Sequence, residues 1–212
     1  MTEEPGLRER KKIETGRTIW KTAVDLFLER GFDAVSVKEI ADAAQVSKMT
    51  VFNYFPAKED LVMHPMGEHV DEPMRVVRDR AAGVTPHAAF GAHFLATLRE
   101  FDAATGLSDA PYVRGIQSLV LKTPALVMRM LAFNALSERL LSGQLIKEGG
   151  SQVTAEFVAA QIIAARNTLI HLNHEALADG RRPAEVLPEA LANAEEVFGL
   201  LDGGLGGLFA KE

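Results

Sequence analysis

A short run of hydrogen-bonding side chains, residues 47–54, is the part of this sequence best suited to contact another molecule. Lys48 can reach a phosphate or a guanine edge, and Thr50 a phosphate or a thymine methyl group. Asn53 can bond to an adenine edge, and Tyr54 can donate its hydroxyl to a phosphate. These groups suit DNA recognition, but ordinary exposed positions on a surface helix are the alternative.

Lys58 suits an anion for a separate physical reason. It lies near the expected start of a helix, where a cation opposes the helix macrodipole by roughly 0.3 kcal/mol or more. A phosphate at that terminus removes the conflict, because backbone amides and the ammonium group then share one anion. A surface ion pair is the alternative, but Glu59 and Asp60 follow directly and do not face the lysine. We therefore favour a phosphate contact.

Two short helices must position this run. Ser36 and Glu39 have the spacing of a capping box, Ser47 is a typical N-cap, and Pro56 ends the second helix. Helices joined by so short a turn predict a helix-turn-helix whose second helix lies in the DNA major groove. The predicted helices cover residues 37–44 and 48–54.

The apolar pattern predicts which sides of these helices are buried. A first helix, about residues 10–30, places Ile13, Trp20, Val24 and Phe27 on one stripe, with Gly31 after its end. In the second and third helices the expected inward residues are Val37, Ile40, Ala41, Ala44, Val51, Phe52 and Phe55. The polar positions of the third helix then face outward.

Residues 10–62 resemble the DNA-binding domain of TetR-family repressors. The matching pieces are Gly31-Phe32, Val37-x-x-Ile40-Ala41, Val46-Ser47, Tyr54-Phe55-Pro56 and Lys58-Glu59-Asp60-Leu61. The resemblance implies that the chain binds double-stranded DNA as a homodimer and uses a small-molecule effector. The DNA-binding candidates are Arg17, Ser36, Ser47, Lys48, Met49, Thr50, Asn53, Tyr54 and Lys58.

Three positions depart from the family pattern. Gln45 stands where glycine is usual in the turn, so it is strained if that position has positive φ. Ala57 replaces a common capping serine or threonine, at a cost of ~1 kcal/mol. Asn53 differs from the commoner aromatic or basic residues, so the operator sequence does not follow from the resemblance.

Composition restricts the other possibilities. The net charge is −6, but residues 8–21 carry a local charge of +4; this cluster is either a phosphate-binding patch or a solvated helix start. The chain contains no cysteine, which removes disulfides, thiolate metal sites and cysteine catalysis. No apolar run approaches the ~20 residues of a membrane span, and the N-terminus has no signal-peptide core. We expect a cytoplasmic protein.

Helical signals continue to the C-terminus, so the predicted fold class is all-α. A fourth helix from Lys58 to about residue 81 should break near residues 64–73, where Pro65 and Pro73 lie. Later helices are expected at 86–104, 111–121, 124–147, 155–178 (capped by Thr154) and 184 or 188 to 201. The predicted domains are residues 1–56, an N-terminal arm and helix-turn-helix, and 57–212, a larger helical ligand-binding and dimerisation domain.

The second domain offers candidates for an effector pocket. The apolar ones are Phe90, Phe94, Tyr112, Met128, Met130, Phe133 and Phe157, and the polar ones are Gln117, Asn134, Gln161, Asn167 and His171. Simple core packing is the alternative for the apolar set. A neighbouring helix is the alternative partner for the polar set.

The last two helices are rich in alanine and can pack closely. Paired across a twofold axis, two helices from each chain form a four-helix bundle. The dimer-interface candidates are Ala160, Ile163, Ala164, Leu191, Ala194 and Phe198. Packing within one chain is the alternative.

No catalytic or cofactor motif is evident. His171 and His174 are three residues apart, but no His-Glu-x-x-His, phosphate-loop, nucleophile-elbow or dinucleotide motif occurs. We expect no metal, no cofactor and no enzyme. The hypothesis is a ligand-responsive transcriptional regulator, a repressor released from an inverted-repeat operator by an apolar or amphipathic molecule. The alternatives are an activator or ligand-independent regulator of this fold, or a small all-α enzyme or carrier.

Overall fold

The computed structural model describes residues 6–204, and all regular secondary structure in that range is helical. The helices are α1 (Leu7–Arg30), α2 (Val37–Ala43), α3 (Lys48–Tyr54), α4 (Asp60–Glu68), α5 (Glu72–Arg78), α6 (Pro86–Arg99), α7 (Pro111–Lys122), α8 (Pro124–Lys147), α9 (Gln152–Ala178) and α10 (Pro183–Gly203), with a 3₁₀ turn at Ala103–Thr105. The all-α fold class is confirmed.

The chain divides into two compact units. The first contains residues 1–67 and 114–131, and the second contains residues 68–113 and 132–212. Helices α7 and α8 therefore each contribute residues to both units. The predicted boundary after residue 56 stays a prediction, and this division falls elsewhere: it groups residues 57–67 with the helix-turn-helix.

The first unit has its own apolar core. Ile19, Val24 and Phe27 of α1 are fully buried, as are Ile40 of α2 and Val51 of α3. Ile13 was expected on the buried stripe, but its side chain is 57% exposed, so the first turns of α1 extend beyond the core.

Side-chain caps define the start of α2. Ser36 Oγ accepts a hydrogen bond from the Glu39 amide, and Glu39 Oε2 accepts one from the Ser36 amide at 2.8 Å. The Ser36 amide, followed by Arg30, lowers the pKa of Glu39 to about 2 from an ordinary value of 4.5. The ionised cap is therefore present above pH 4.5 and is lost as the pH falls towards 2. The predicted capping box is confirmed.

The chain between α3 and α5 is interrupted as the prolines indicated. The break lies at residues 69–71, whereas Pro65 lies inside α4. Asp60 fixes the start of α4: its Oδ2 accepts the Ala57 amide at 3.0 Å, and its Oδ1 accepts two hydrogen bonds from Arg129. The aspartate therefore makes the bond of a capping box that reaches back to residue 57, and the side-chain cap that Ala57 lacks is not replaced.

The second unit is built around α9 and α10, which pack together and against α6. Phe90 and Phe94 of α6 meet Phe198 of α10 with ring centroids 6.1 and 6.2 Å apart. A Cβ atom on Gly91 would lie 2.9 Å from Phe198 Cγ, so glycine at this position permits the close approach of the two helices. The core holding these rings combines residues of α5, α6, α8, α9 and α10.

Two predicted helix starts differ from the structure. α9 begins at Gln152 because Ser151, not Thr154, is the cap: Ser151 Oγ accepts the Thr154 amide at 3.2 Å. α10 begins at Pro183 and continues through Pro188. No single helix among residues 6–204 is long and apolar enough to cross a membrane, and one sharply bent pair, α7 with α8, meets the criteria of length and composition only.

Candidate nucleic-acid interface and internal cavity

The outer face of α3 carries both polar and apolar side chains. Lys48 and Asn53 are exposed, as predicted, and Met49 is 69% exposed. Phe52 was expected to point inward but is 37% exposed, and Lys48 Nζ lies 5.7 Å from the centre of its ring. The inward prediction for Phe52 was wrong: Val51 and Phe55, one turn apart, face the core, and Phe52 projects about 100° round the helix from Val51. This face combines a cation, an amide and two apolar groups.

Ser47 and Thr50 stabilise the start of α3. Ser47 Oγ accepts the Thr50 amide at 3.0 Å and lies 2.8 Å from Thr50 Oγ1. The predicted N-cap is confirmed. Both hydroxyls have partners within the protein, so any DNA contact by these residues uses their remaining lone pairs or the Thr50 methyl group.

Tyr54 is held against α1. Its ring lies so close to Gly16 that a Cβ atom at residue 16 would be 3.1 Å from Tyr54 Cδ1. The tyrosine is half-buried as a result. Gly16 was not among the candidates, although an isolated glycine inside an amphipathic helix is a sign of such an approach.

Lys58 turns inward in this structure. Its ammonium group donates a hydrogen bond to the Phe32 carbonyl at 2.6 Å and lies 4.3 Å from the centre of the Phe32 ring. Burial lowers the pKa of Lys58, and Asp33 opposes that effect. The lysine therefore supports the loop before α2, and a phosphate contact would require it to leave these partners.

The α2–α3 turn contains the strain that the sequence indicated. Gln45 has a φ of 56°, in the left-handed region where glycine is favoured. Its amide donates to the Asp42 carbonyl, and the Val46 amide donates to the Ala41 carbonyl, which fixes the turn. The position therefore has the positive φ on which the expected strain of Gln45 depended.

The exposed side of α1 supplies positive charge beside this turn. Arg17 is exposed, whereas Lys21 pairs with Asp25 at 2.7 Å. Lys11 borders an open groove that also includes Ala44 and Val46 of the turn. A basic helix and the outer face of α3 in one unit form a surface suited to a phosphate backbone and base edges.

The second unit contains a small, partly open cavity of about 20 Å³. Its lining residues are Glu72, Phe90, His93, Phe94, Thr97, Asp102, Ala104, Thr105 and Arg166. Such a volume admits a single water-sized group. The lining is unusual because charged side chains from α5, α6 and α9 meet beside two core phenylalanines.

Hydrogen bonds organise the charges around the cavity. His93 Nε2 lies 3.0 Å from Glu72 Oε1, and His69 Nδ1 lies 3.5 Å from Glu72 Oε2. Burial opposes ionisation of Glu72, but the bonds to both histidines hold its pKa below the ordinary range. The bond to Glu72 raises the pKa of His69. Arg166 Nη2 donates to Asn134 Oδ1 at 2.9 Å.

The structure brings together few of the predicted pocket residues. Phe90 and Phe94 line the cavity, and Asn134 contacts its Arg166 wall. His171 is exposed beside Glu175 at 3.3 Å, and Met128 and Phe157 are also exposed. The others are half-buried and do not line this cavity, so their role stays a prediction: Tyr112, Gln117, Met130, Phe133, Gln161 and Asn167.

Sequence reasoning missed Arg166, although a signal was present. It is the one charged residue between positions 157 and 170, an otherwise alanine-rich and apolar stretch of α9. A charge in such a stretch must be buried with partners or line a cavity. Glu72 and His93 carried no comparable signal, because their pairing joins helices distant in sequence.

The dimer-interface candidates divide into two groups. Ile163, Ala194 and Phe198 are buried within the chain, so the alternative of intrachain packing holds for them and their assignment to the interface is corrected. Ala164 is exposed, and Ala160 and Leu191 are half-buried. An interface role for these three stays a prediction.

Among residues 6–204, no group of three or more histidine, cysteine or acidic side chains is arranged to hold a metal ion.

Residues 19–64 match the model of the bacterial regulatory proteins of the tetR family. The chain is 29% identical over 161 residues to the HTH-type transcriptional regulator TcmR of Streptomyces glaucescens, a match covering 76% of this chain and 71% of TcmR. The residues that match the family model, 19–64, include both helices of the helix-turn-helix.

Solved structures show the same fold over most of the chain. NalD, the secondary repressor of the MexAB-OprM multidrug efflux pump in Pseudomonas aeruginosa, is similar with a TM-score of 0.57 and 19% identity, covering 88% of this chain and 96% of NalD. The SmeT–triclosan complex is similar with a TM-score of 0.53 and 16% identity, covering 86% of this chain and 90% of SmeT.

Proposed function

Because this chain belongs to the TetR family of bacterial regulatory proteins, we propose that it represses transcription by binding an inverted-repeat operator in the cytoplasm and leaves it when a small apolar or amphipathic molecule binds. Two identical helix-turn-helix units on a twofold axis fit half-sites about 34 Å apart. Regulation, not catalysis, is the proposed activity.

The outer face of α3 is the observation that carries this proposal. A helix of seven residues, capped by Ser47 and supported beneath by buried Val51, presents Lys48 and Asn53 outward. A side-chain amide can bond to adenine, and an ammonium group to guanine or phosphate. The exposed Met49 and Phe52 can contact thymine methyl groups, which adds an apolar component to the proposed recognition.

Ligand response is proposed by analogy with SmeT, a protein of the same fold that was solved in complex with triclosan. An effector releases DNA only if it binds the DNA-incompetent conformation more tightly than the competent one. The break between α4 and α5 at residues 69–71 provides a place where the chain can bend. An activator that uses the same DNA-binding surface is the second candidate, because the contacts of α3 with DNA do not determine whether transcription is repressed or activated.

A homodimer is proposed through the exposed face of α9. Val153 and Phe157 are 79% and 61% exposed, and they share one side of the helix with Ala160 and Ala164. Large apolar side chains in a row on a helix surface are typical of an interface. The same side carries no buried residue of the intrachain core.

Replacing Ala164 with glutamate should separate the dimer without unfolding the chain. Ala164 is exposed in the single chain, so the charge harms only a contact made between copies. Sedimentation velocity should show a monomer with an unchanged helical circular-dichroism spectrum. Ala88→Glu, the same change at an exposed position of α6, is the control and should stay dimeric. A dimeric Ala164→Glu protein would place the interface elsewhere.

The DNA-binding surface is tested by selecting duplexes from a random pool and titrating the enriched sequence at fixed salt. Lys48→Ala should weaken DNA binding. If the lysine contacts a phosphate, the slope of log affinity against log salt concentration should also fall in magnitude by about one. Asn53→Ala should relax sequence preference at one position of each half-site, by ~1–3 kcal/mol. Lys147→Ala, which removes the same charge at the end of α8, is the control.

Either of two results would contradict the proposed function. The pool could yield no enriched sequence, which would rule out specific recognition of duplex DNA. Alternatively, Lys48→Ala and Asn53→Ala could both bind as the control does, which would mean that α3 is not the recognition helix. Enrichment of an asymmetric site would contradict the twofold arrangement.

A further inference from the structure

The cavity in the second unit contains a hydrogen-bond donor that has no acceptor. Arg166 Nε is buried and has no hydrogen-bond partner among the described residues, whereas Nη2 of the same guanidinium donates to Asn134. A buried donor left unpaired costs ~1–3 kcal/mol, and more when the group is charged. The cavity lies against this side chain. An acceptor placed there would satisfy the guanidinium.

The acidic groups around the cavity already have partners. Glu72 accepts from His93 and pairs with His69, each through a different carboxylate oxygen. Asp102 Oδ1 accepts the Ala104 amide at 2.8 Å and so caps the 3₁₀ turn. An ammonium ligand would have only the remaining lone pairs of these carboxylates and would lie beside a guanidinium, which repels it. The unmet requirement is for an acceptor, not for a cation.

We propose that Arg166 recognises the effector and that the effector is a carboxylic acid whose carboxylate binds in this cavity. This inference rests on the proposed function, because it names the chemical class of the molecule that releases the operator. A carboxylate presents acceptor oxygens in the plane of the guanidinium, which matches the arrangement of Nε and the terminal nitrogens. His93 belongs to the same lining and bonds to Glu72 through Nε2.

The surrounding charges determine how the carboxylate is accommodated. Burial lowers the pKa of the Arg166 guanidinium, and the negative charges of Glu72 and Glu138 oppose this shift. Asp102 adds a further negative charge to the lining, and His69 adds positive charge when it is protonated. A bound anion is therefore most stable when His69 is charged. We expect affinity to rise as the pH falls from 8 to 6.

The size of the cavity explains how binding can change the conformation. About 20 Å³ holds one carboxylate oxygen, but not the apolar body of the acid. The body must displace Phe90 or Phe94, whose rings pack against Phe198 in the core. The bound form therefore differs from the form described here, which is the condition for an effector to shift a population.

The test uses the full chain and three probes of one shape that differ in charge: benzoate, benzamide and benzamidinium. The carboxylate 2-naphthoate extends the apolar body. Binding is measured by calorimetry and by the NMR signals of the six histidines, with those of His69 and His93 assigned by His→Gln variants. At pH 6.5, benzoate or 2-naphthoate should bind at least about tenfold more tightly than benzamide and should shift both assigned signals.

Two variants assign the binding to Arg166. Arg166→Met should lower carboxylate affinity at least about tenfold, and Arg166→Lys should retain part of it because the charge remains. Arg139→Met, the same change at an exposed position of α8, should bind as the wild type does. Circular dichroism checks that each variant is folded. The comparison of the three probes, which differ in charge, uses only the wild-type chain and does not depend on the variants.

The outcomes separate the two proposals. Any of four results would overturn the inference. Benzamidinium could bind most tightly, benzoate and benzamide could bind equally, or no carboxylate could bind. The fourth is an Arg166→Lys protein that binds carboxylates as the wild type does. Carboxylate binding at Arg166 that leaves the affinity for the selected duplex unchanged would support the site and contradict its role as an effector site. Failure to select any duplex would contradict the proposed function alone.

Discussion

Replacing Phe198 with glutamate should unfold the second unit. The ring is buried among Phe90, Phe94 and Gly91, and α10 approaches α6 most closely at this position. Truncating a core phenylalanine costs about 3–5 kcal/mol, and an unpaired buried carboxylate adds several more. That sum is comparable with the whole free energy of unfolding of a typical domain, about 5–15 kcal/mol. Helical circular dichroism should be largely lost at 25 °C.

Ala192→Glu is the matched control for this experiment. Ala192 is exposed on the same helix, so the new charge stays in water and the free energy of unfolding should change by less than about 0.5 kcal/mol. A folded but monomeric Phe198→Glu protein would contradict the expectation. It would mean that Phe198 contributes to an interface between copies and not to the core of one chain.

Gly106→Ala should destabilise the protein far more than the same substitution at Gly83. Both glycines have positive φ, 78° and 80°, so each alanine suffers the same backbone penalty of about 1 kcal/mol. At Gly83 a new Cβ atom meets nothing within 4 Å. At Gly106 it would lie 2.7 Å from the Ile170 carbonyl oxygen and 2.8 Å from His174 Cδ2. We expect a further loss of about 2 kcal/mol or more from this overlap.

The comparison is made by denaturant unfolding of the two variants and the wild type. The loop that follows α6 cannot easily move away from α9, because Asn173 donates to the Thr105 carbonyl at 2.8 Å and both residues are buried. The difference between the two midpoints therefore isolates the steric contribution. Equal destabilisation by both alanines would show that this loop shifts without cost.

The sequence by itself determined the local features of this protein. The caps at Ser36 and Ser47 and the limits of α3 and α8 all follow from interactions within a few residues. Such interactions are visible in the order of residue types, because capping and turn geometry involve neighbours in the chain. The similarity to the TetR family rests on the same local pattern.

Tertiary structure alone decided what each helix face contacts. An apolar pattern marks Phe198 and Ala194 as hydrophobic, but it does not distinguish a partner in the same chain from one in a second copy. Phe52 is as apolar as Phe55, and only the structure shows that the core lies on the side of Val51 and Phe55.

The charged sites show the same division most clearly. The inward turn of Lys58 depends on the Phe32 carbonyl, which is 26 residues away in sequence. The cavity beside Arg166 joins residues of α5, α6 and α9, which become neighbours only when these helices pack. The sequence thus determined which groups can donate, accept or cap, and packing over long sequence separations decided which of them meet, because burial and partner choice are properties of the assembled core.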